Sequence, residues 1–139
     1  MNAVDTNVLL YSVDRNEPAK QLKAQQLLSQ LHSSTEPTLL LWQVLGESAQ
    51  QLRRWRDLGK LTPAEFSQHI QAFRYLFPLT LPTPEVFDRA LSLAERFSLS
   101  HWDSMLLGAC EAAGVTRLYT EDIGAPRKID SIELVNPFT

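Results

Sequence analysis

Short apolar runs alternate along this chain with longer stretches in which apolar residues recur every three or four positions. The short runs are typical of buried strands and the longer stretches of amphipathic helices. We predict strands at residues 2–5, 38–42, 79–81, 116–120 and 132–135. We predict helices at residues 20–31, 43–58, 62–77, 83–97 and 100–113, with a short helix or turn at 9–13. This alternation predicts an α/β fold, a three-layer α/β/α sandwich around a mostly parallel sheet of four or five strands.

Two of the predicted helices carry a start signal. Thr62, Pro63 and Glu65 form the pattern of a capping box with proline at the first helical position. The stretch from Thr83 repeats this pattern with Pro84. In the helix that follows, we expect a buried stripe of apolar side chains, formed by Val86, Phe87, Ala90, Leu91, Ala94 and Phe97.

The composition favours one folded domain, spanning residues 1–139. Hydrophobic residues make up 44% of the 139 residues, enough for a core, and no linker divides the chain. The single cysteine, Cys110, excludes an intrachain disulfide and indicates a small buried residue in a reducing compartment. No apolar run approaches the roughly 18–20 residues that cross a bilayer, and no basic region precedes the first apolar run. We therefore expect a cytoplasmic protein that has no contact with membranes.

Four acidic residues stand where predicted strands end or the following helices begin. Asp5 closes the first strand, Glu47 lies in the helix after the second, Asp103 begins a largely apolar helix, and Asp122 follows a later strand. In a parallel sheet these positions share one edge, so the carboxylates can converge. Such a cluster is unfavourable unless a cation compensates it, and Mg²⁺ or Mn²⁺ are the hard cations that carboxylates hold. The pattern therefore predicts a divalent metal site that can cleave phosphodiesters.

Each acid also has a simpler interpretation. Asp5, with Thr6 and Asn7, could cap a helix. Asp103 could favour the dipole of the helix that it begins. Glu47 could be an ordinary residue beside an apolar stripe, and Asp122 with its neighbour Glu121 could form a turn. The interpretation as a site rests on all four lying at the same edge.

Several segments together resemble the PIN domain family, and within it the VapC-type toxins of bacterial toxin–antitoxin pairs. The resemblance is carried by residues 4–11 (VDTNVLLY), 43–47 (QVLGE), 99–104 (LSHWDS), 118–122 (LYTED), 128–130 (KID) and 135–138 (VNPF). No single segment is specific, but their order and spacing extend the likeness over essentially the whole chain.

The resemblance implies an endoribonuclease that requires Mg²⁺, for which Mn²⁺ could substitute. In this family's pattern, Asp5 and Asp103 would be the main metal ligands, and Glu47 and Asp122 would order water or a second ion. Further residues would support them, namely Thr6, Asn7, Thr120 and Glu121. The resemblance also implies a homodimer and a small antitoxin that blocks the active site.

Basic and aromatic residues offer weaker indications about the substrate. One basic group follows Glu47 and would form a solvated face or guide an RNA backbone, namely Arg53, Arg54, Arg56 and Lys60. Arg127 and Lys128 form a weaker second group, and His101 beside Asp103 is most simply a residue of a helix start. Trp42, Trp55 and Trp102 fit a core or an interface better than a base-stacking platform.

Other functions fit parts of the sequence. A phosphatase with Asp5 as nucleophile resembles haloacid-dehalogenase sites, but these carry a second Asp where this chain has Asn7. An interaction module could use the apolar helices at 20–31 and 62–77 as a partner groove without catalysis. A PIN-type ribonuclease outside any toxin–antitoxin pair is a further alternative.

Overall fold

The computed structural model describes residues 1–139 and contains one six-stranded sheet. Its strands are β1 (Asn2–Val4), β2 (Thr38–Leu41), β3 (Leu79–Thr80), β4 (Arg117–Tyr119), β5 (Arg127–Ile129) and β6 (Ile132–Val135). Their order across the sheet is β3-β2-β1-β4-β6-β5. All neighbouring pairs are parallel except β5 with β6, which is antiparallel.

Six helices connect and flank the strands. They are α1 (Thr6–Tyr11), α2 (Pro18–Ser33), α3 (Trp42–Asp57), α4 (Pro63–Leu76), α5 (Pro84–Phe97) and α6 (His101–Ala112). Helices α1 to α4 pack among themselves, and α5 packs closely on α6. Right-handed crossovers place these two groups on opposite faces of the sheet. None of the helices combines the length and the apolarity needed to cross a bilayer.

The predicted α/β class with a mostly parallel central sheet is confirmed. The sheet has six strands instead of four or five, because Arg127–Ile129 adds an antiparallel edge strand. Its two basic residues are exposed and only Ile129 is buried, so this segment shows no apolar run. The other differences are shifts of element ends by a few residues, such as Trp42, which begins α3 and does not belong to β2.

The two helices with the same predicted start signal begin differently. Thr62 and Glu65 form both hydrogen bonds of a capping box, each at 3.0 Å, as predicted for α4. The side chain of Thr83 makes no capping hydrogen bond to α5. The start of α5 therefore depends on Pro84 at its first position and on packing rather than on a side-chain cap.

The predicted buried stripe of α5 is wrong at Phe87 and Leu91, whose surfaces are 49% and 54% exposed. The residues that α5 buries are Val86, Ala90 and Leu93. The buried face is narrow because α5 packs substantially only on α6, which it meets at Gly108, and no other helix or strand covers the side that carries Phe87 and Leu91.

The fold brings the ends of β1 and β4 together at one edge of the sheet. These strands are parallel neighbours with Val4 opposite Tyr119, and the Asp5 amide donates to the Tyr119 carbonyl at 2.9 Å. The chain builds outward from β1 to β3 and then returns to β4 on the other side of β1. Such a reversal of strand order leaves a crevice at the carboxyl ends of the strands, the usual ligand site of open α/β sheets.

Candidate functional site

Asp5 occupies the crevice at the end of β1 and also caps α1. Its Oδ1 accepts a hydrogen bond from the Thr6 amide at 2.7 Å, and its Oδ2 accepts one from the Thr120 hydroxyl at 2.7 Å. Only 7% of Asp5 is exposed. The interpretations of this residue as a strand-end acid and as a helix cap are therefore both correct, and the two hydrogen bonds fix the orientation of the carboxylate.

Burial gives Asp5 an unusual acidity. Desolvation raises its pKa from 3.8 to about 6, against the opposing effect of the hydrogen bonds from Thr120 and Thr6. The negative charges of Glu47 and Asp122 raise the pKa further, which places both acids within electrostatic range. No basic side chain forms a salt bridge with any of the four candidate acids, Asp5, Glu47, Asp103 and Asp122.

Asp122 is held close to Asp5 by a short chain of hydrogen bonds. The Thr120 hydroxyl, which donates to Asp5, accepts from the Asp122 amide at 3.0 Å. The Asn7 amide group donates to Asp122 Oδ2 at 3.0 Å and to the Thr120 oxygen at 3.4 Å. The start of α1 and the loop after β4 are therefore joined, and Asn7 and Thr120 contact the acids that the family resemblance expects them to support.

Glu47 and Asp103 lie on two different helices, and of the two only Glu47 acts electrostatically on Asp5. Glu47 is exposed in the second turn of α3, and Asp103 is half-buried in the first turn of α6, where its amide donates to the Ser100 side chain at 3.3 Å. The Gln43 amide group donates to Glu47 Oε1 at 3.2 Å and to the Trp102 carbonyl at 3.1 Å. Sequence reasoning missed Gln43, although its place one helical turn before Glu47 was a usable signal.

Glu121 belongs to a separate network. It accepts hydrogen bonds from the Tyr11 hydroxyl at 2.7 Å and from Lys20 Nζ at 3.0 Å, and Lys20 also donates to Tyr11 at 3.2 Å. The Tyr11 ring packs edge-on against Phe138 with centroids 5.0 Å apart. Lys20 already compensates the charge of Glu121, so the structure gives it contacts that differ from those of Asp122, its neighbour in the chain.

The oxygen atoms at this site are of the type that binds divalent cations, but the side chains are not already arranged around a metal position. No group of three or more His, Cys, Asp or Glu side chains is arranged to hold a metal ion. The oxygen atoms around Asp5 nevertheless lack partners, since Thr6 Oγ1 and Asn7 Oδ1 are buried without a hydrogen bond. Buried orphan oxygens beside an uncompensated carboxylate are the surroundings that favour a hard cation.

The predicted basic and aromatic residues lie outside this cluster. Arg53, Arg54 and Lys60 are exposed, and Arg56 pairs with Asp57 at 3.3 Å. None of these basic side chains forms a salt bridge with the four acids, which agrees with a solvated face. Of the two alternatives predicted for the tryptophans, a core or an interface, the core is excluded for Trp42 and Trp102, which are 53% and 61% exposed, and is confirmed for Trp55, which packs against the core.

Replacing Thr120 by valine should destabilise the fold. Thr120 is fully buried, and valine has nearly the same shape but removes the hydroxyl that serves Asp5 and Asp122. Because the two groups would lose their partner inside the protein, we expect the free energy of unfolding to fall by about 1–2 kcal/mol. Urea denaturation would measure this, with Thr120→Ser as the control that keeps the hydroxyl. A Thr120→Val protein as stable as the wild type, with a loss only in Thr120→Ser, would show that the methyl group, not the hydrogen bonds, matters.

Comparisons with known proteins agree on one fold. The chain resembles a toxin–antitoxin complex from Klebsiella pneumoniae (TM-score 0.67, 16% identity, 99% of this chain and 98% of that chain). It also resembles the sarcin–ricin-loop-cleaving toxin VapC20 from Mycobacterium tuberculosis (TM-score 0.65, 17% identity, 88% and 90% covered). A third similar structure is VapBC2 from Rickettsia felis bound to a DNA fragment from its promoter (TM-score 0.69, 12% identity, 96% of each chain).

Sequence comparison identifies the family behind this fold. No curated protein matches the chain. The family model described as the PIN domain matches residues 3–130, which include all four candidate acids. This match covers most of the chain and agrees with the resemblance noted from its motifs. The chain therefore belongs to the PIN domain family.

Proposed function

We propose that this protein is an endoribonuclease that requires Mg²⁺, or Mn²⁺ in its place, and cleaves RNA phosphodiester bonds with water as the nucleophile. The observation that carries the proposal is Asp5, a buried carboxylate at the crevice of the sheet that no basic side chain compensates. Glu47 and Asp122 add negative charge at the same place. A protein that concentrates acids in this way needs a cation there when it binds a polyanion.

In this proposal Asp5 and Asp103 hold the cation, and Glu47 and Asp122 accept hydrogen bonds from water around it. A bound divalent cation would lower the pKa of water and stabilise charge that develops on the phosphate. The surrounding residues orient the acids: the Thr6 amide and Thr120 fix Asp5, Asn7 fixes Asp122, and Gln43 restrains Glu47. These contacts reduce the reorganisation that the site must undergo when it binds its substrate.

The proposed biological setting is a toxin–antitoxin pair. Two of the similar structures are a toxin–antitoxin complex and VapBC2, and a third is a toxin that cleaves the sarcin–ricin loop. We propose by analogy that this chain is a single PIN-like domain that forms a homodimer and is inhibited by a small antitoxin. Expression of the chain alone should stop growth, whereas coexpression with the product of an adjacent small reading frame should restore it. If the protein were a ribonuclease outside such a pair, cells should tolerate its expression without any partner.

Purified protein should cleave single-stranded RNA with Mg²⁺ present and stop when EDTA removes it. Asp103→Asn and Glu47→Gln should each slow the cleavage, because each removes one of the negative charges that attract the cation. Glu95→Gln is the matched control, since Glu95 is exposed and makes no salt bridge or hydrogen bond. Cleavage that persists in EDTA, or that is equal in all three variants, would contradict the proposal.

A further inference from the structure

A cleft lies beside Glu47 and is walled by two tryptophans. It has a volume of about 420 Å³ and is lined by Trp42, Gln43, Gly46, Glu47, Gln50 and Trp102. Ligand pockets usually measure about 300–1,000 Å³, so the cleft can hold a small planar group. It joins α3 to α6 at the same end of the sheet as the candidate acids.

Both tryptophans are exposed, and Trp102 also has contacts within the protein. More than half of the surface of each is exposed, at 53% for Trp42 and 61% for Trp102. The Trp102 carbonyl accepts the hydrogen bond from Gln43, and the Trp102 ring packs edge-on against His101 with centroids 4.7 Å apart. Large aromatic surfaces are normally removed from water, so two of them facing one cleft mark a place where something binds.

The cleft combines two indole rings with polar side chains, which suits a planar ligand that carries polar groups. Apart from the two indole rings it offers the side chains of Gln43, Glu47 and Gln50. Gln50 is exposed and makes no hydrogen bond within the protein, so its amide group is free to bind a ligand. At Gly46 a Cβ atom would meet nothing within 4 Å, which leaves space along α3. Aromatic faces combined with a free amide group are the chemistry that holds a nucleobase.

We propose that this cleft receives one unpaired nucleobase of the RNA substrate, stacked on Trp42 or Trp102, next to the phosphate that is cleaved. The inference rests on the proposed ribonuclease function and deepens it by assigning a base-binding subsite. Because Glu47 lines the cleft and also acts electrostatically on Asp5, a base held there belongs to a nucleotide close to the acids. Bases within a duplex have their faces covered, so the substrate is a single strand or a loop.

The test measures RNA binding and not cleavage, with Ca²⁺ in place of Mg²⁺, so that a divalent cation compensates the acids while its larger size and irregular coordination do not support the reaction. Anisotropy of a short fluorescently labelled single-stranded RNA should show that Trp42→Ala and Trp102→Ala each weaken binding about 5- to 150-fold, the range for loss of one stacked base. Trp42→Phe and Trp102→Phe should retain most of the affinity. Leu91→Ala is the matched control, since Leu91 is a similarly exposed apolar residue on α5 that does not line the cleft. The same RNA annealed into a duplex should bind all these proteins equally.

Two results would overturn the inference. Unchanged single-strand affinity in both alanine variants would exclude stacking, whether or not the wild-type protein cleaves RNA. A fall in sedimentation mass in the alanine variants but not in Leu91→Ala would show that the tryptophans contact a second copy of the chain instead. Stacking without any cleavage by the wild-type protein in Mg²⁺ would uphold the subsite and refute the ribonuclease. Thermal melting of each variant checks that it is folded, as expected for substitutions at such exposed positions.

Discussion

Replacing Asp5 by asparagine is expected to reduce RNA cleavage by about 1,000-fold. The substitution keeps the size and leaves an acceptor for the Thr6 amide, but it removes the buried charge that attracts the cation. Loss of several kcal/mol of charge stabilisation in the transition state corresponds to this factor, because each 1.4 kcal/mol is about tenfold. Initial rates with a labelled single-stranded RNA in saturating Mg²⁺ would measure the effect.

The same substitution should make the protein more stable when no metal is present. Burial raises the pKa of Asp5 from 3.8 in the unfolded chain to about 6, so folding disfavours its charged form. The protonated carboxyl group of Asp5 therefore makes its full contribution to the free energy of unfolding below pH 3.8. This contribution is lost as the pH rises towards about 6, where the folded protein loses the proton. Above that pH the uncompensated charge costs up to about 3 kcal/mol, at 1.36 kcal/mol for each pKa unit. In EDTA at pH 8, Asp5→Asn should consequently unfold at a higher urea concentration than the wild type.

The matched control for both effects is Asp88→Asn. Asp88 is exposed on α5 and has no salt-bridge partner, so its replacement should change neither the cleavage rate nor the stability in EDTA. Mg²⁺ should raise the melting temperature of the wild type and of Asp88→Asn. The increase should be much smaller for Asp5→Asn. An Asp5→Asn protein that is less stable than the wild type in EDTA would mean that the carboxylate is a structural cap and not a strained metal ligand.

The location of the site could be predicted because it depends on strand order more than on side-chain detail. Residues that follow parallel strands lie at one edge of the sheet, so Asp5 and Thr120 meet once β1 and β4 are neighbours. The choice between Glu121 and Asp122 could not be made in this way, since adjacent acids in a loop diverge by the local backbone path. What distinguishes the two acids is that Lys20 and Tyr11, which lie more than a hundred residues earlier, donate hydrogen bonds to Glu121.

The misplaced residues have a common physical cause, which is that periodicity shows an apolar face but not how much of it a neighbour covers. Phe87 and Leu91 fit the helical period of α5, yet α6 is the only element that packs substantially on α5, so the side with these two residues stays exposed. Trp42 and Trp102 likewise stand in apolar runs but project into a cleft. The strand Arg127–Ile129 was missed because its pairing with β6 comes from the backbone, not from an apolar pattern.

The close approach of α5 and α6 leads to a second prediction with a large effect. Replacing glycine by alanine should lower the free energy of unfolding at Gly108 but raise it at Gly46. At Gly108 an added Cβ would lie 2.7 Å from the Val86 carbonyl oxygen and 3.0 Å from the Ala90 nitrogen. These are backbone atoms, so the helices must separate, at a cost of about 4 kcal/mol, above the usual 1–3 for overpacking.

Better helix propensity offsets about 1 kcal/mol of this cost, and Gly108→Ala should lower the free energy of unfolding by about 3 kcal/mol. Gly46 in α3 is the matched control, because a Cβ there meets nothing within 4 Å. Gly46→Ala should therefore gain up to about 1 kcal/mol from the same propensity term. Urea denaturation of the two variants and the wild type would measure both. If Gly108→Ala were as stable as the wild type, α5 and α6 would have to be packed less closely than the contacts at Gly108 indicate.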